Sequence, residues 1–256
     1  QANEQTKQEQ MDIVAHSMGG LVSRAYIQGS EYRGDVRRLA FVGTPNAGSA
    51  LAYFSWEGGD TLQADEYGGN FFEDLFTKLV QADQFQTKTT VKNHLIKTAE
   101  EEPLCRGGGP PYEYFACDRE RTKRFLHEQA PAVGELYPSY EFLYDYESEE
   151  PVEPAFENKL LRALNGQRCR DGDCGYDFVP LEERDVELRN FIGLEEGVFG
   201  PRRHTPADIY VSSRDDVGYD YTDGAVEAVE QDVGDGTVLV DSVQEVEAVN
   251  EGTDSA

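Results

Sequence analysis

The stretch MDIVAHSMGGLVSRAYIQ, residues 11–28, constrains this chain more than any other. Residues 11–15 are a short apolar run with Ile and Val, which reads as a buried strand. Leu21, Val22, Ala25 and Tyr26 then recur at helical spacing. Gly29 stands at the expected helix end, where a left-handed cap is easy for glycine. Between strand and helix there is room only for a sharp turn centred on Ser17. Such a turn strains the backbone of its central residue and demands small neighbours. Gly19 and Gly20 are read as the positions that let the helix pack close to the strand. RLAFVG at 38–43 is a second buried strand, and TPNAGS at 44–49 is a turn cluster. Strand, helix, strand and turn make half of a parallel α/β sheet.

The same turn carries chemistry. Ser17 would project its oxygen above the sheet at a helix N-terminus, where the dipole and the Met18 N–H stabilise a developing oxyanion. A serine hydroxyl needs a base to take its proton before it attacks. His16 is adjacent, but neighbours around a strand end point in different directions, so it is read as a packing residue lining the elbow. A second motif, Gly234-Asp235-Gly236-Thr237-Val238, sets a carboxylate in a glycine-flanked loop late in the chain. That is where an acid orienting a base imidazole belongs, because the chain order for this elbow is serine, acid, histidine. Asp232 and Asp241 are the nearby alternatives.

The rest divides by texture. Residues 1–50 form a first core segment. Residues 51–180 read as a large inserted cap, dense in aromatics (Tyr53, Phe54, Trp56, Phe71, Phe72, Phe76) and broken by Pro-rich and acidic patches. Helices are predicted at 69–82, 119–129 and 157–166, the last stopped by Gly166. The aromatic cluster reads either as the cap's own core or as the lining of an acyl channel touching a lipid surface. Strand character returns at 185–193 and 207–212, so 181–256 is taken as the return to the core, carrying the acid loop.

Charge and cysteines bound the partners. Lys plus Arg is 23 against 50 acids, a formal charge of −27, with only 7 Lys beside 16 Arg. Phosphates would be repelled, so nucleic acid is excluded as a partner. A surface this acidic repels itself unless salt screens it, which reads as adaptation to high salt. No run approaches the roughly 20 apolar residues of a membrane span. Cys105 and Cys117 bracket one loop and Cys169 and Cys174 another, which suggests two local disulfides and an oxidising, extracellular setting. The carboxylate-bearing loops 169–177 and 213–224 lack EF-hand spacing and read as solvated loops, so no metal is expected.

DIVAHSMGGLVSRAYIQ, LAFVGTPNAGSA and VGDGTVLVDSV together resemble the α/β-hydrolase lipases, within them the group of lecithin:cholesterol acyltransferase-like and GPI-inositol-deacylase-like enzymes. PAVGELYPSYEFL loosely resembles a cap segment of that group. The resemblance implies a mainly parallel α/β-hydrolase sheet with an inserted cap. It implies hydrolysis of lipid-like or small esters, or acyl transfer to an alcohol, with Ser17 as nucleophile, Asp235 as acid and no organic cofactor.

Two departures stand out. In the family the base is a histidine after the acid, whereas the four histidines here, at 16, 94, 127 and 204, all precede Asp235. The family also has strands and a second oxyanion donor before the elbow, and only some ten residues precede the elbow strand here. The expectation is a hydrolase fragment with a bare sheet edge that folds poorly alone. The rival expectation is a non-catalytic, hydrolase-like binding protein.

Overall fold

A computed structural model describes residues 10–59, 105–106, 116–117, 119–193, 196–197, 200–201, 203–212, 222–234 and 238–244. The chain is α/β. Its first sheet is parallel throughout, in the order β1 (Met11–His16), β2 (Val36–Val42), β6 (Glu187–Phe191). Helix α1 (Met18–Gln28) connects β1 to β2. β1 and β2 coincide with the apolar runs of the sequence, and β6 lies within the stretch 185–193 where strand character returns. Ala15, Leu39, Phe41 and Leu188 line one face and bury against Ile27 of α1 and Leu181.

The opposite face is different. Asp12, Val14 and His16 alternate onto it from β1, in register with Arg38, Ala40 and Val42, then Glu187, Arg189 and Phe191. Val14 is 77 % exposed and Phe191 56 % exposed. One end of this face is a row of ion pairs, with Arg37 on Asp12 at 2.7 Å and Arg38 on Glu187 at 2.7 Å. Parallel sheets are usually covered on both faces, and this one is covered on one among the described residues. Among the described residues β1 is also an edge strand.

A larger core lies on the other side of α1. It gathers Leu21, the wholly buried helix α2 (Leu51–Trp56), and Leu126 of α3 (Arg119–Gln129). It continues through the 3₁₀ turn Pro131–Leu136 and through α4 (Lys159–Leu164). A second sheet borders it, in which β9 (Arg203–Val211) pairs antiparallel with β10 (Val226–Val233) and parallel with β5 (Leu143–Asp145). The short pairs β3 (Cys105–Arg106) with β4 (Ala116–Cys117), and β7 (Glu196–Gly197) with β8 (Gly200–Pro201), are two-residue ladders. Helix α5 (Val240–Gln244) follows β10.

Tyr53 and Phe54 are fully buried; Tyr53 meets Phe54, Tyr137 and Phe142, and Tyr137 meets Phe142, edge-on or tilted, with centroids 5.4 to 6.1 Å apart. These aromatics are core. Phe71, Phe72, Phe76 and the helix predicted at 69–82 lie outside the described residues. β5, placed by the sequence within an inserted cap, shares a sheet with β9 of the returning segment, so the two ranges pack as neighbours. The helix at 119–129 is present with those bounds, and Gly166 closes α4 with φ +66°.

Gly29 corrects an expectation. Its φ is −71°, extended rather than left-handed. Glycine stands there because a Cβ would come 2.7 Å from the Ala25 carbonyl oxygen. Cys169 and Cys174 form a disulfide with Cα atoms 5.2 Å apart. Cys105 and Cys117 face each other across β3–β4, and their side chains lie outside the described residues. Among the described residues no helix is long and apolar enough to cross a membrane.

Candidate active site

The carboxyl ends of β1, β2 and β6 lie together, as a parallel sheet requires, and ligands of such sheets bind outside these ends. Ser17 sits there, between β1 and α1. Its backbone has φ 52° and ψ −134°, a combination that side-chain-bearing residues rarely adopt. Two hydrogen bonds hold it: the Ser17 N–H donates to the Val42 carbonyl at 3.0 Å, and the Gly20 N–H donates to the Ser17 carbonyl at 3.0 Å. The first ties the turn to the end of β2 and the second starts the helix. The first N–H groups of a helix have no partner within it, and Met18 is the first residue of α1. The Met18 side chain packs on the larger core.

The glycines differ. A Cβ on Gly20 would overlap the Thr44 side chain, so this is where helix and strand end need glycine. Gly19 is exposed, and a Cβ there would meet only Ala15 Cβ, at 4.0 Å. His16 is exposed on the uncovered face of β1, not packed around the turn.

Past the end of β2, residues 44–49 form a buried loop. Ser49 N–H donates to the Leu136 carbonyl and Ser139 N–H to the Ala47 carbonyl, both at 2.8 Å. The Gly48 φ is +95°, and a Cβ there would strike the Leu136 and Tyr137 carbonyls. Thr44 and Asn46 are both fully buried. Asn46 donates from Nδ2 to the Val243 carbonyl of α5 at 2.9 Å, and Asn190 of β6 donates to the same carbonyl at 2.6 Å. So α5 is bound to the ends of β2 and β6, on the side of the sheet where Ser17 lies.

The loop before α5 carries Asp235. Residues 235–237 lie outside the described residues. Their stems are described: Gly234 bridges Leu239, and a Cβ on Gly234 would overlap Thr205 and the Val238 carbonyl. Asp232 and Asp241 are both exposed and line a cleft of about 620 Å³ with Ala47, Tyr140, Asp208 and Ser242. Ser17 does not line it. Burial holds the Asp208 carboxyl above the usual carboxylate range, and the charges of Glu230, Asp232 and Glu141 add to this. Burial also pushes the Tyr140 hydroxyl up, with Asp208 and Asp241 contributing.

His127 stacks on Trp56 with centroids 3.8 Å apart, and its Nε2 lies 2.9 Å from the Trp56 carbonyl oxygen. His204 is in β9, with its side chain outside the described residues, as is the whole of His94. Among the described residues no cluster of three His, Cys, Asp or Glu is placed to hold a metal ion.

Sequence reasoning passed over Arg24, Gln28 and Asn46. A signal was present: the buried stripe of α1 runs through Gly20, Leu21, Arg24, Ile27 and Gln28, so two polar residues recur at core-facing positions.

A domain family of unknown function (DUF7379) matches residues 1–56, the stretch from the N-terminus to the end of α2. No curated protein matches the chain.

Proposed function

We propose that the protein is a serine ester hydrolase of the α/β-hydrolase kind, acting on lipid-like or small carboxylic esters with Ser17 as nucleophile. One observation carries the reading: a serine, where glycine would be at ease, holds a positive φ in a strand-to-helix turn at the carboxyl ends of parallel strands. A strained non-glycine residue is kept where its side chain has work to do, since stability alone would favour glycine.

In this reading Ser17 Oγ attacks the ester carbonyl carbon and the alcohol leaves with a proton. The acyl-enzyme is then hydrolysed by water. The Met18 N–H and the dipole of α1 stabilise the oxyanion. The Ser17 proton goes to an imidazole, which Asp235 orients. His16 and His127 are poorly suited to that role, being turned to solvent and engaged with Trp56 respectively.

The test is hydrolysis of a short p-nitrophenyl ester in molar salt by the chain and by Ser17→Ala, each with and without free imidazole as a substitute base. Turnover that depends on Ser17 and rises with imidazole supports the reading. Equal rates for both proteins in every condition overturn it.

A further inference from the structure

Arg24 is 2 % exposed, seven residues along α1 from Ser17. Its guanidinium is spread over three segments. Nε donates to Gln28 Oε1 at 3.1 Å, Nη1 to Asn46 Oδ1 at 3.1 Å, and Nη2 to Asn165 Oδ1 at 2.7 Å and the Leu164 carbonyl at 2.8 Å. Gln28 Nε2 reaches that same Leu164 carbonyl at 2.8 Å, and Asn165 Nδ2 returns to the Asn46 carbonyl at 2.9 Å. The Leu164 carbonyl at the C-terminus of α4 is thus capped twice from α1.

Asn46 continues the chain. Its Oδ1 accepts from Arg24 while its Nδ2 donates to the Val243 carbonyl of α5. Beside it, the Ala47 N–H donates to the Ser242 carbonyl at 3.2 Å, and Ser242 Oγ donates to the Gly48 carbonyl at 2.6 Å. Val240, the first residue of α5, directly follows Leu239, the stem of the loop that carries Asp235. A buried hydrogen-bonded path therefore runs from the elbow helix through Arg24 and Asn46 to α5 and that stem.

We propose that Asn46 is a positioning residue: linking Arg24 to Val243, it fixes α5 and the Gly234–Leu239 stem in register with the Ser17 elbow. The inference rests on the reading of Ser17 as nucleophile for its functional part and on geometry for its structural part. Displacing one catalytic element by about 1 Å can cost about a hundredfold in rate while leaving binding intact.

Asn46→Asp dissects the link. It keeps the shape and the acceptor for Arg24, and loses the donor to Val243. Amide exchange is the first readout. In Asn46→Asp, exchange at 240–244 rises about tenfold, the worth of one buried hydrogen bond, while exchange in β2 is unchanged. The second readout is Ser17-dependent ester hydrolysis in the presence of imidazole. There kcat falls 10- to 100-fold with KM within about twofold, and Asn46→Gln, which restores a donor on a longer arm, recovers part of it. Unchanged exchange at 240–244 overturns the proposal. So does raised exchange with an unchanged kcat, which reduces Asn46 to a structural role. If the unsubstituted chain shows no Ser17-dependent turnover, the reading of Ser17 fails, and the exchange comparison alone decides whether Asn46 fixes α5.

Discussion

Gly20 and Thr44 are in such close contact that no side chain fits between them: a Cβ on Gly20 would occupy the space of the Thr44 hydroxyl and methyl groups. This contact sets the distance between the elbow helix and the end of β2. Gly20→Ala should destabilise the fold by about 1 to 3 kcal/mol, the usual cost of overpacking. Gly19→Ala, whose new methyl meets only Ala15, should be neutral or stabilise by up to about 1 kcal/mol through helix propensity. The Thr44 hydroxyl is buried without a hydrogen-bond partner among the described residues. Thr44→Ala should therefore cost little and rescue part of the Gly20→Ala loss. Denaturant unfolding of both single variants and the double variant measures the coupling.

Ser17 should be a site where function and stability disagree. Relief of its positive φ by Ser17→Gly returns about 1 to 3 kcal/mol, and the looser unfolded chain takes back about 0.5 to 1 kcal/mol. The expected net gain is about 1 kcal/mol, whereas Ser17→Ala keeps the strain and stays near the starting stability. Thermal melts of the three proteins make the comparison, and a Ser17→Gly variant less stable than Ser17→Ala would contradict it.

Asn158 joins two segments by three hydrogen bonds. Its Oδ1 caps α4 by accepting from the Leu161 N–H at 3.1 Å. Its Nδ2 donates to the Glu135 carbonyl at 2.9 Å and the Tyr137 carbonyl at 2.7 Å. Asn158→Ala should cost about 2 to 4 kcal/mol, a lost cap plus unsatisfied buried carbonyls. Asn158→Asp should cost at least as much, because it keeps the cap but turns a carboxylate on two carbonyl oxygens. Equilibrium unfolding separates these outcomes from a simple capping role, in which Asp would match Asn.

Asp208 gives a pH dependence. Its folded-state pKa is raised above 3.8 by burial and by Glu230, Asp232 and Glu141. The folded state therefore holds the proton more tightly than the unfolded one. Its contribution to stability declines as pH rises from 3.8 through the folded value, and stays low above it. Asp208→Asn should raise Tm by about 2 °C at pH 7 in low salt, a modest figure because the group is only half-buried. The gain should vanish at pH 3, where both states are protonated, and shrink in molar salt, which screens the neighbouring carboxylates.

How much was legible in the sequence follows from range. β1, α1, β2 and α4 are written in local apolar spacing, α3 and β6 fall where a helix and a strand are expected, and Ser17 is marked by small neighbours between a strand and a helix. The pairing of β5 with β9 joins residues more than sixty apart and leaves no local trace. From the sequence His16 reads as a packing residue lining the elbow, because it cannot easily reach the Ser17 oxygen, and it adjoins Ala15, which is buried. The two alternate across the pleat, and His16 faces the side of the sheet left open. Arg24 and Asn46 escaped notice because a buried polar residue is recognisable only when its partners, here on four segments, are known. Asp235 is singled out by its motif alone, and it lies outside the described residues.

Covalent capture asks whether Ser17 is an activated nucleophile. The protein is treated with a fluorophosphonate in molar salt, with free imidazole present, and the modified serine is mapped by mass spectrometry. The expected product is a single phosphonyl adduct on Ser17, absent from Ser17→Ala. An unmodified Ser17, or another serine modified as fast, would contradict it.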